Sequence, residues 1–430
     1  MNLLKAFVNA FKVPDLRKKI LFTLLVIAIF RLGSHIPTPG IDVDEAQRFS
    51  QGASGGLKFL DLFSGGALTQ LAIFALGIMP YITSSIIMQL LTVVIPKLEA
   101  WSKEGEAGHK KITQWTRYLT VLLALLQSTG LAFLFHNGSI QDAQGQGVDF
   151  IPEFTPLRVF IVVLSLTAGT ALIMWLGELI TQRGIGNGMS ILIFAGIVST
   201  LPGEGKGILD QKGLPPFLII CGIGLIIIVA IVAMEQGQRR IPVQYAKRVV
   251  GRKMYGGSST YIPLKVNQAG VIPIIFASSV LYIPQLLQNV IQQDSIRSFI
   301  ENNLINPASA VYMILFGVMV VFFTYFYTAI SFNPTDVADN MKKYGGFIPG
   351  IRPGRATAEY LDRILTRITL PGALFIAAIA LMPSIFLATQ DIQQLPFGGT
   401  SILITVGVTL ETMKQIESQL TMRHYEGFLK

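Results

Sequence analysis

The chain has 430 residues, of which 51% are hydrophobic and only 14% are charged, and it carries a formal net charge of +9. This composition is too apolar for an ordinary soluble enzyme and predicts a polytopic membrane protein. A single cysteine, Cys221, excludes an intrachain disulfide, and the four histidines lack metal-ligand spacing, so we expect neither a metal centre nor a cofactor.

The N-terminal region superficially resembles a signal peptide, because five basic residues precede the apolar stretch 20–30. No small-residue cleavage pattern follows this stretch, and Arg31, Pro37 and Pro39 come soon after it. We therefore predict a retained first transmembrane helix, preceded by a cytoplasmic amphipathic segment at residues 1–19.

Residues 59–67 form a short apolar segment broken by glycines, and they are too few to cross a bilayer, which needs about 20. Residues 71–95 are long enough, but Gly77, Pro80 and several polar residues interrupt them. At helical spacing, one face of this second stretch changes from hydrocarbon to hydroxyl and amide groups. Such a face suits a water-filled cavity, although the polar residues can instead pack against neighbouring helices. The residues of this face are Ile78, Ile82, Ser85, Gln89 and Thr92.

An internal repeat favours the cavity. The sequence at 77–85 is echoed at 270–278, with glycine, proline, isoleucine and serine at matched positions. Paired broken segments in two halves of a membrane protein indicate a substrate path between the repeats.

Ten apolar windows predict ten transmembrane helices, and an even number places both termini on one side. Of the 34 lysines and arginines, 27 lie in segments on that side, so both termini are expected in the cytoplasm. The windows are 20–36, 71–95, 118–135, 157–180, 189–201, 216–234, 269–287, 311–331, 370–387 and 401–413. They divide the chain into an N-terminal half at 20–202, an external hinge loop at 203–213, a C-terminal half at 214–413 and a cytoplasmic tail at 414–430.

Two predicted cytoplasmic loops, 236–267 and 332–369, are longer than a connection requires. The first suggests a hairpin around a turn at Gly256 and Gly257, and the second has a Gly/Pro-rich tip that aims Arg352. These loops either serve only to orient the chain or form a basic docking surface for an acidic or RNA-bearing partner, which we favour. The candidate docking residues are Arg239, Arg240, Lys247, Arg248, Arg252, Lys253, Arg352 and Arg355.

Catalytic and ion-coupling chemistry is missing from the pattern. Glu178 lies near a predicted cytoplasmic helix end beside Arg183, where we interpret it as a helix-end residue that reaches the interface. The glycine-rich stretch 184–188 follows a span instead of a strand and lacks a phosphate-loop lysine, so it predicts a tight turn. An inverted-repeat secondary transporter of a small solute is the alternative function, disfavoured because no charges are predicted at the midplane. A membrane enzyme has no constellation of residues behind it.

Motifs at 63–67, 73–82, 184–188, 238–242, 265–267, 270–273 and 349–354 together resemble the SecY family of protein-conducting channels over nearly the whole chain. The resemblance implies an all-α fold of ten transmembrane helices, in two inverted pseudo-symmetric halves of five around a central pore, with a short plug helix. It also implies a non-enzymatic subunit of the bacterial plasma membrane that translocates unfolded preproteins and inserts membrane segments laterally. The implied partners are SecE, SecG, the SecA ATPase, the ribosome, preprotein signal sequences and membrane lipid, with SecDF and YidC as further candidates.

The resemblance also assigns three sets of residues in this sequence. The plug would comprise Phe59, Leu60, Leu62, Phe63, Ser64, Gly65, Gly66 and Ala67. The pore ring would comprise Ile78, Ile82, Met189, Ile193, Ile275 and Ile404, where the methionine departs from an all-isoleucine ring but seals through its flexible thioether. The lateral gate would comprise Thr83, Ser85, Gln89, Thr92, Gln127, Ser278, Ser279, Thr324 and Tyr327.

Overall fold

A computed structural model of the chain describes residues 11–41, 61, 64–136, 150–151, 154–245, 248–250, 253–255, 259–288, 293–390 and 399–426. Most of these residues are helical, as their apolar composition requires in a bilayer that offers the backbone no hydrogen-bond partner. The helices are α1 Pro14–Gly33, α2 Met79–Val94, α3 Pro96–Lys103, α4 Glu106–His136, α5 Pro156–Arg183, α6 Gly188–Lys212, α7 Leu214–Gln236, α8 Ile272–Gln288, α9 Asp294–Ile300, α10 Ala310–Ser331, α11 Pro334–Lys343, α12 Arg355–Gln390 and α13 Gly399–Glu426.

All ten predicted windows fall on helices of this set. By length and composition, six of the described helices can cross a membrane, or seven if α2 and α3, which meet at a bend of 101°, count as one span. The other windows fall on helices that are shorter, such as α8, or more heavily charged, such as α1.

Several predicted boundaries differ from the structure. The predicted loop 332–369 contains α11 and the first part of α12, and α13 continues past the predicted end of the last span at 413. The window 71–95 was expected to be helical throughout, but α2 begins only at Met79, because Gly77 adopts a left-handed φ of 56° and the residues before it form turns. The segment 203–213 was expected as a loop, but α6 continues to Lys212 and ends at Gly213, whose φ is 79°. A hydropathy window ends where apolar residues end, whereas a helix can continue past that point with polar residues.

A large buried cluster occupies the centre of the bundle. It draws side chains from α1, α2, α5, α6, α7, α8, α10, α12 and α13. A second cluster joins α4 and α5 to residues 68–76, and a third joins α1 to α13, so the first and last described helices are in contact. The central cluster therefore unites both halves of the chain.

A small antiparallel sheet lies outside the helical bundle. Its inward-facing residues, Ile241, Val243 and Leu264, pack against Met341 of α11 and Leu361 of α12. This sheet has three strands, in the order β4 Ser259–Lys265, β1 Gln238–Tyr245 and β5 Gly346–Phe347, and a separate two-stranded sheet pairs β2 Arg248–Val250 with β3 Lys253–Tyr255. The antiparallel pairing that the sequence suggested is present, both between β1 and β4 and between β2 and β3, and Gly256 and Gly257 of the predicted turn lie outside the described residues.

Hydrogen bonds join the residues after β4 to the end of α7 and to the residues just before α8. The Val266 amide donates to the Gly237 carbonyl at 2.9 Å. The Asn267 side-chain amide donates to Glu235 Oε1 at 2.5 Å and to the Gly270 carbonyl at 3.1 Å. The end of α7, the end of β4 and the start of α8 are thus fastened together.

Candidate functional site

The six residues of the predicted pore ring lie together in the central apolar cluster. They come from α2 or its N-cap, from α6, from α8 and from α13, and each is at most 8% exposed. The residues are Ile78, Ile82, Met189, Ile193, Ile275 and Ile404. Helices from both halves of the chain therefore contribute these residues to one apolar cluster.

The repeated motifs give α2 and α8 the same local structure. Gly77 and Gly270 both adopt left-handed backbone conformations, with φ of 56° and 62°. In each case a helix begins two residues later with proline in its first turn. Ile82 and Ile275 are each the fourth residue of their helix, so the internal repeat delivers equivalent side chains to the same cluster.

Of the predicted plug, the structure describes Ser64, Gly65, Gly66 and Ala67, whereas Phe59, Leu60, Leu62 and Phe63 lie outside the described residues. Ser64, Gly65 and Ala67 are buried, and Ala67 joins the central cluster.

Asp61 organises this turn. Its Oδ1 accepts hydrogen bonds from Ser64 Oγ at 2.9 Å, from the Leu68 amide at 2.9 Å and from the Thr69 amide at 3.1 Å. Its Oδ2 accepts from Thr69 Oγ1 at 2.8 Å. Hydrogen bonds to a buried carboxylate are stronger than neutral ones, so Asp61 holds the turn in one shape. This role of Asp61 was not predicted from the sequence, because the residues beside it are apolar.

The turn at 64–67 contacts α1 and α6. Arg31 Nη1 of α1 donates to the Gly65 carbonyl at 2.6 Å. A Cβ atom added at Gly65 would lie 2.8 Å from the Cα atom of Gly196 in α6, so the two backbones approach closely. Beyond the turn, Pro37 and Ala72 form a β-bridge that ties the chain after α1 to the chain before α2.

Five hydroxyl groups of the predicted lateral gate donate hydrogen bonds within their own helices. Ser278 and Ser279 each donate to the carbonyl four residues earlier at 2.8 Å, and Thr324 does so at 2.7 Å. On α2, Thr83 donates to the Met79 carbonyl at 3.0 Å, and Thr92 to the Gln89 carbonyl at 2.6 Å. These hydroxyl groups therefore need no hydrogen-bond partner on the opposite helix.

Among the helices that carry the predicted gate residues, α2 contacts α8, and aromatic packing joins α8 to α10. Phe276 of α8 makes edge-to-face contacts with Phe323 and Tyr327 of α10, at centroid distances of 5.6 and 6.3 Å. Oε1 of Gln89 and of Gln127 accepts no hydrogen bond from the part of the chain that the structure describes. Ser85 is half-buried on α2. The gate residues thus lie on helices of both halves.

One ion pair was not predicted. Glu178 was interpreted as a helix-end residue beside Arg183, but its carboxylate accepts two hydrogen bonds from Arg117 of α4, at 2.8 and 2.5 Å. The sequence does place a basic residue, Arg117, and an acidic residue, Glu178, near the ends of two consecutive predicted spans, which could have indicated this pair. No group of three or more His, Cys, Asp or Glu side chains within the described ranges is placed to hold a metal ion.

Four of the candidate docking arginines have exposed side chains. Arg239 and Arg240 project from β1, where Arg240 lies over the Tyr261 ring at 4.9 Å. Arg352 is exposed in the tip between β5 and α12, and Arg355 pairs with Glu359 at the start of α12. The remaining candidates are Arg248 in β2 and Lys253 in β3, with Lys247 and Arg252 outside the described residues.

Comparison with known proteins assigns the family. The SecY family model matches residues 72–413. Proteins named Protein translocase subunit SecY match over the full length of both chains: that of Mycobacterium tuberculosis H37Rv is 53% identical over 443 residues, and that of Streptomyces coelicolor is 56% identical over 437 residues.

Solved structures agree on the fold. The one described as "The structure of a protein conducting channel" has a TM-score of 0.66 at 19% identity, with 94% of this chain and 92% of that chain covered. "Sec61 in the Canine ribosome-channel complex from the endoplasmic reticulum" has a TM-score of 0.62 at 18% identity, with the same coverage. The full-length relatives and the family model are decisive: the chain belongs to the SecY family.

Proposed function

We propose that this chain is the central channel subunit of a protein translocon in the bacterial plasma membrane, with both termini in the cytoplasm. It conducts unfolded preproteins across the membrane and releases apolar segments sideways into lipid. The observation that carries the proposal is the burial of all six predicted ring residues in one apolar cluster, where two glycine-initiated repeat helices begin. Family membership supports the same function.

The chemistry of the constriction suits a valve for polypeptide. Branched apolar side chains exclude water and ions when they meet, because a narrow hydrophobic constriction dewets. They make no specific hydrogen bonds, so they yield to an extended chain of any sequence. A plug formed by residues 59–67 would reinforce the seal at rest.

The seam between α2 and α8 suits lateral release. Because its serine and threonine hydroxyls bond within their own helices, parting the helices breaks none of the hydrogen bonds described for these groups. An apolar segment exposed there gains about 0.8 kcal/mol for each CH₂ that moves from water into lipid. Sufficiently apolar segments therefore leave the channel sideways, and polar ones pass through.

The exposed arginines support docking of cytoplasmic partners. Arg239, Arg240 and Arg352 present positive charge on and beside a sheet that is fixed to the bundle by packing. Such a surface attracts acidic protein segments and RNA phosphates. We therefore assign it to SecA and the ribosome, with SecE and SecG as membrane partners, signal sequences as gate ligands, and SecDF and YidC as further associates.

Reconstitution tests the function. Proteoliposomes that contain the chain with SecE and SecG should import a fluorescent preprotein when SecA and ATP are added. The variant Arg352→Glu, which assembles normally, should import much less. Saturable uptake of a small solute, without preprotein import by the unaltered chain, would favour the transporter instead.

A further inference from the structure

A half-buried arginine of α1 is bonded to the backbone of the glycine turn. We propose that Arg31 is a positioning residue that holds the plug in its closed seat. Its guanidinium binds the Gly65 carbonyl at 2.6 Å, and the backbone of α6 at Gly196 packs closely against Gly65. The inference rests on the proposed function, because it takes residues 59–67 to be the plug.

Arg31 is suited to this role by its environment. Among the described residues it forms no ion pair, so the contact with the turn is not shared with a carboxylate. A charge-assisted hydrogen bond is shorter and stronger than a neutral one, and it strengthens further where water is excluded. The acceptor is a backbone carbonyl, so Arg31 recognises the shape of the turn and not a side chain.

The turn presents that carbonyl because of its internal bonds. Asp61 accepts hydrogen bonds from Ser64, Leu68 and Thr69, and Gly65 lies within the turn that these bonds hold. Displacement of the plug therefore breaks the bond to Arg31 and leaves a guanidinium without its partner, which favours return of the turn to the seat.

Two neighbouring glycines allow a matched test of the seat. Gly65 and Gly66 both have left-handed φ angles, 69° and 88°, so alanine is strained at either position. A Cβ atom at Gly65 would collide with Gly196, whereas one at Gly66 would meet nothing within 4 Å. The seat predicts a much larger effect from Gly65→Ala than from Gly66→Ala.

The experiment uses the full translocon complex in a Cys221→Ser background, with Ala67→Cys as a reporter. Ala67 is fully buried at rest, so its thiol reacts with a membrane-impermeant maleimide only when the plug leaves. Arg31→Leu should raise both the maleimide labelling rate and the resting ion conductance about tenfold, the size expected for loss of one charge-assisted hydrogen bond. Arg31→Lys should restore part of the seal.

Controls separate positioning from stability. Arg17→Leu removes a positive charge from the same helix at an exposed position and should leave both readouts unchanged. Co-purification with SecE and thermal denaturation should be the same for Arg31→Leu as for the unaltered chain. If Arg31→Leu lowers stability without raising labelling or conductance, or if Gly65→Ala and Gly66→Ala behave alike, the inference is overturned.

Deletion of residues 60–67 separates this inference from the proposed plug. If the deletion raises conductance and Arg31→Leu does not, the plug assignment stands and the role of Arg31 falls. If neither change raises conductance, the plug assignment fails and the role of Arg31 fails with it.

Discussion

Truncating the apolar constriction should open the channel to ions at rest. Ile82 and Ile275 are the equivalent residues of the two repeats and are 8% and 7% exposed. Replacing either by alanine removes three carbon groups, which at about 0.8 kcal/mol each amounts to roughly 2.4 kcal/mol of apolar burial per site. If opening exposes these side chains to water, the closed-to-open ratio falls by about 60-fold for each substitution.

Single-channel recording in planar bilayers measures this ratio directly. Ile275→Val, which removes one carbon, should produce a small increase in open probability, Ile275→Ala a larger one, and the double variant with Ile82→Ala the largest. Ile226→Ala on α7 is the control, because Ile226 is 68% exposed and outside the central cluster. Unchanged conductance in the double variant, or an equal effect of Ile226→Ala, would refute the reasoning.

Three further predictions address the surface, the ion pair and helix packing. Arg352→Glu should reduce preprotein import several-fold without changing co-purification with SecE, and normal import would contradict a docking role. Glu178→Gln should destabilise the packing of α4 against α5 by about 1–2 kcal/mol, since the ion pair between Arg117 and Glu178 is partly exposed. A double-mutant cycle with Arg117→Gln, measured by thermal denaturation, should give a coupling energy between the two residues, and additive effects would exclude that coupling. Gly169→Ala should impair assembly, because its Cβ would lie 2.0 Å from a backbone oxygen, whereas Gly222→Ala, with nothing within 4 Å, should be tolerated; equal yields of the two in a membrane-extraction assay would be inconsistent with this packing.

The sequence was sufficient for the family and for the helical channel fold, both of which are confirmed. Gly77 and Pro80, with their repeat that begins at Gly270, made this possible, because glycine and proline set a backbone conformation that apolar composition alone does not specify. The family resemblance assigned the isoleucines that lie in the central cluster. Their role as a pore ring stays a prediction.

Other features depend on contacts between distant residues, which a hydropathy pattern does not encode. Arg117 and Glu178 are 61 positions apart, and only the packing of α4 against α5 brings them together. The late start of α2 at Met79 depends on a backbone angle. The bond between Arg31 and Gly65 could not be predicted from the sequence either, because every residue has a backbone carbonyl that can accept a hydrogen bond.

The bonded joint between the sheet and α8 has a mechanical consequence. Asn267 forms hydrogen bonds with Glu235 at the end of α7 and with Gly270, and the adjacent Val266 is bonded to Gly237. The connection from β4 to α8 is therefore short and held by hydrogen bonds. A displacement of the paired strands β1 and β4 would therefore be transmitted through these hydrogen bonds to the residues that lead into α8.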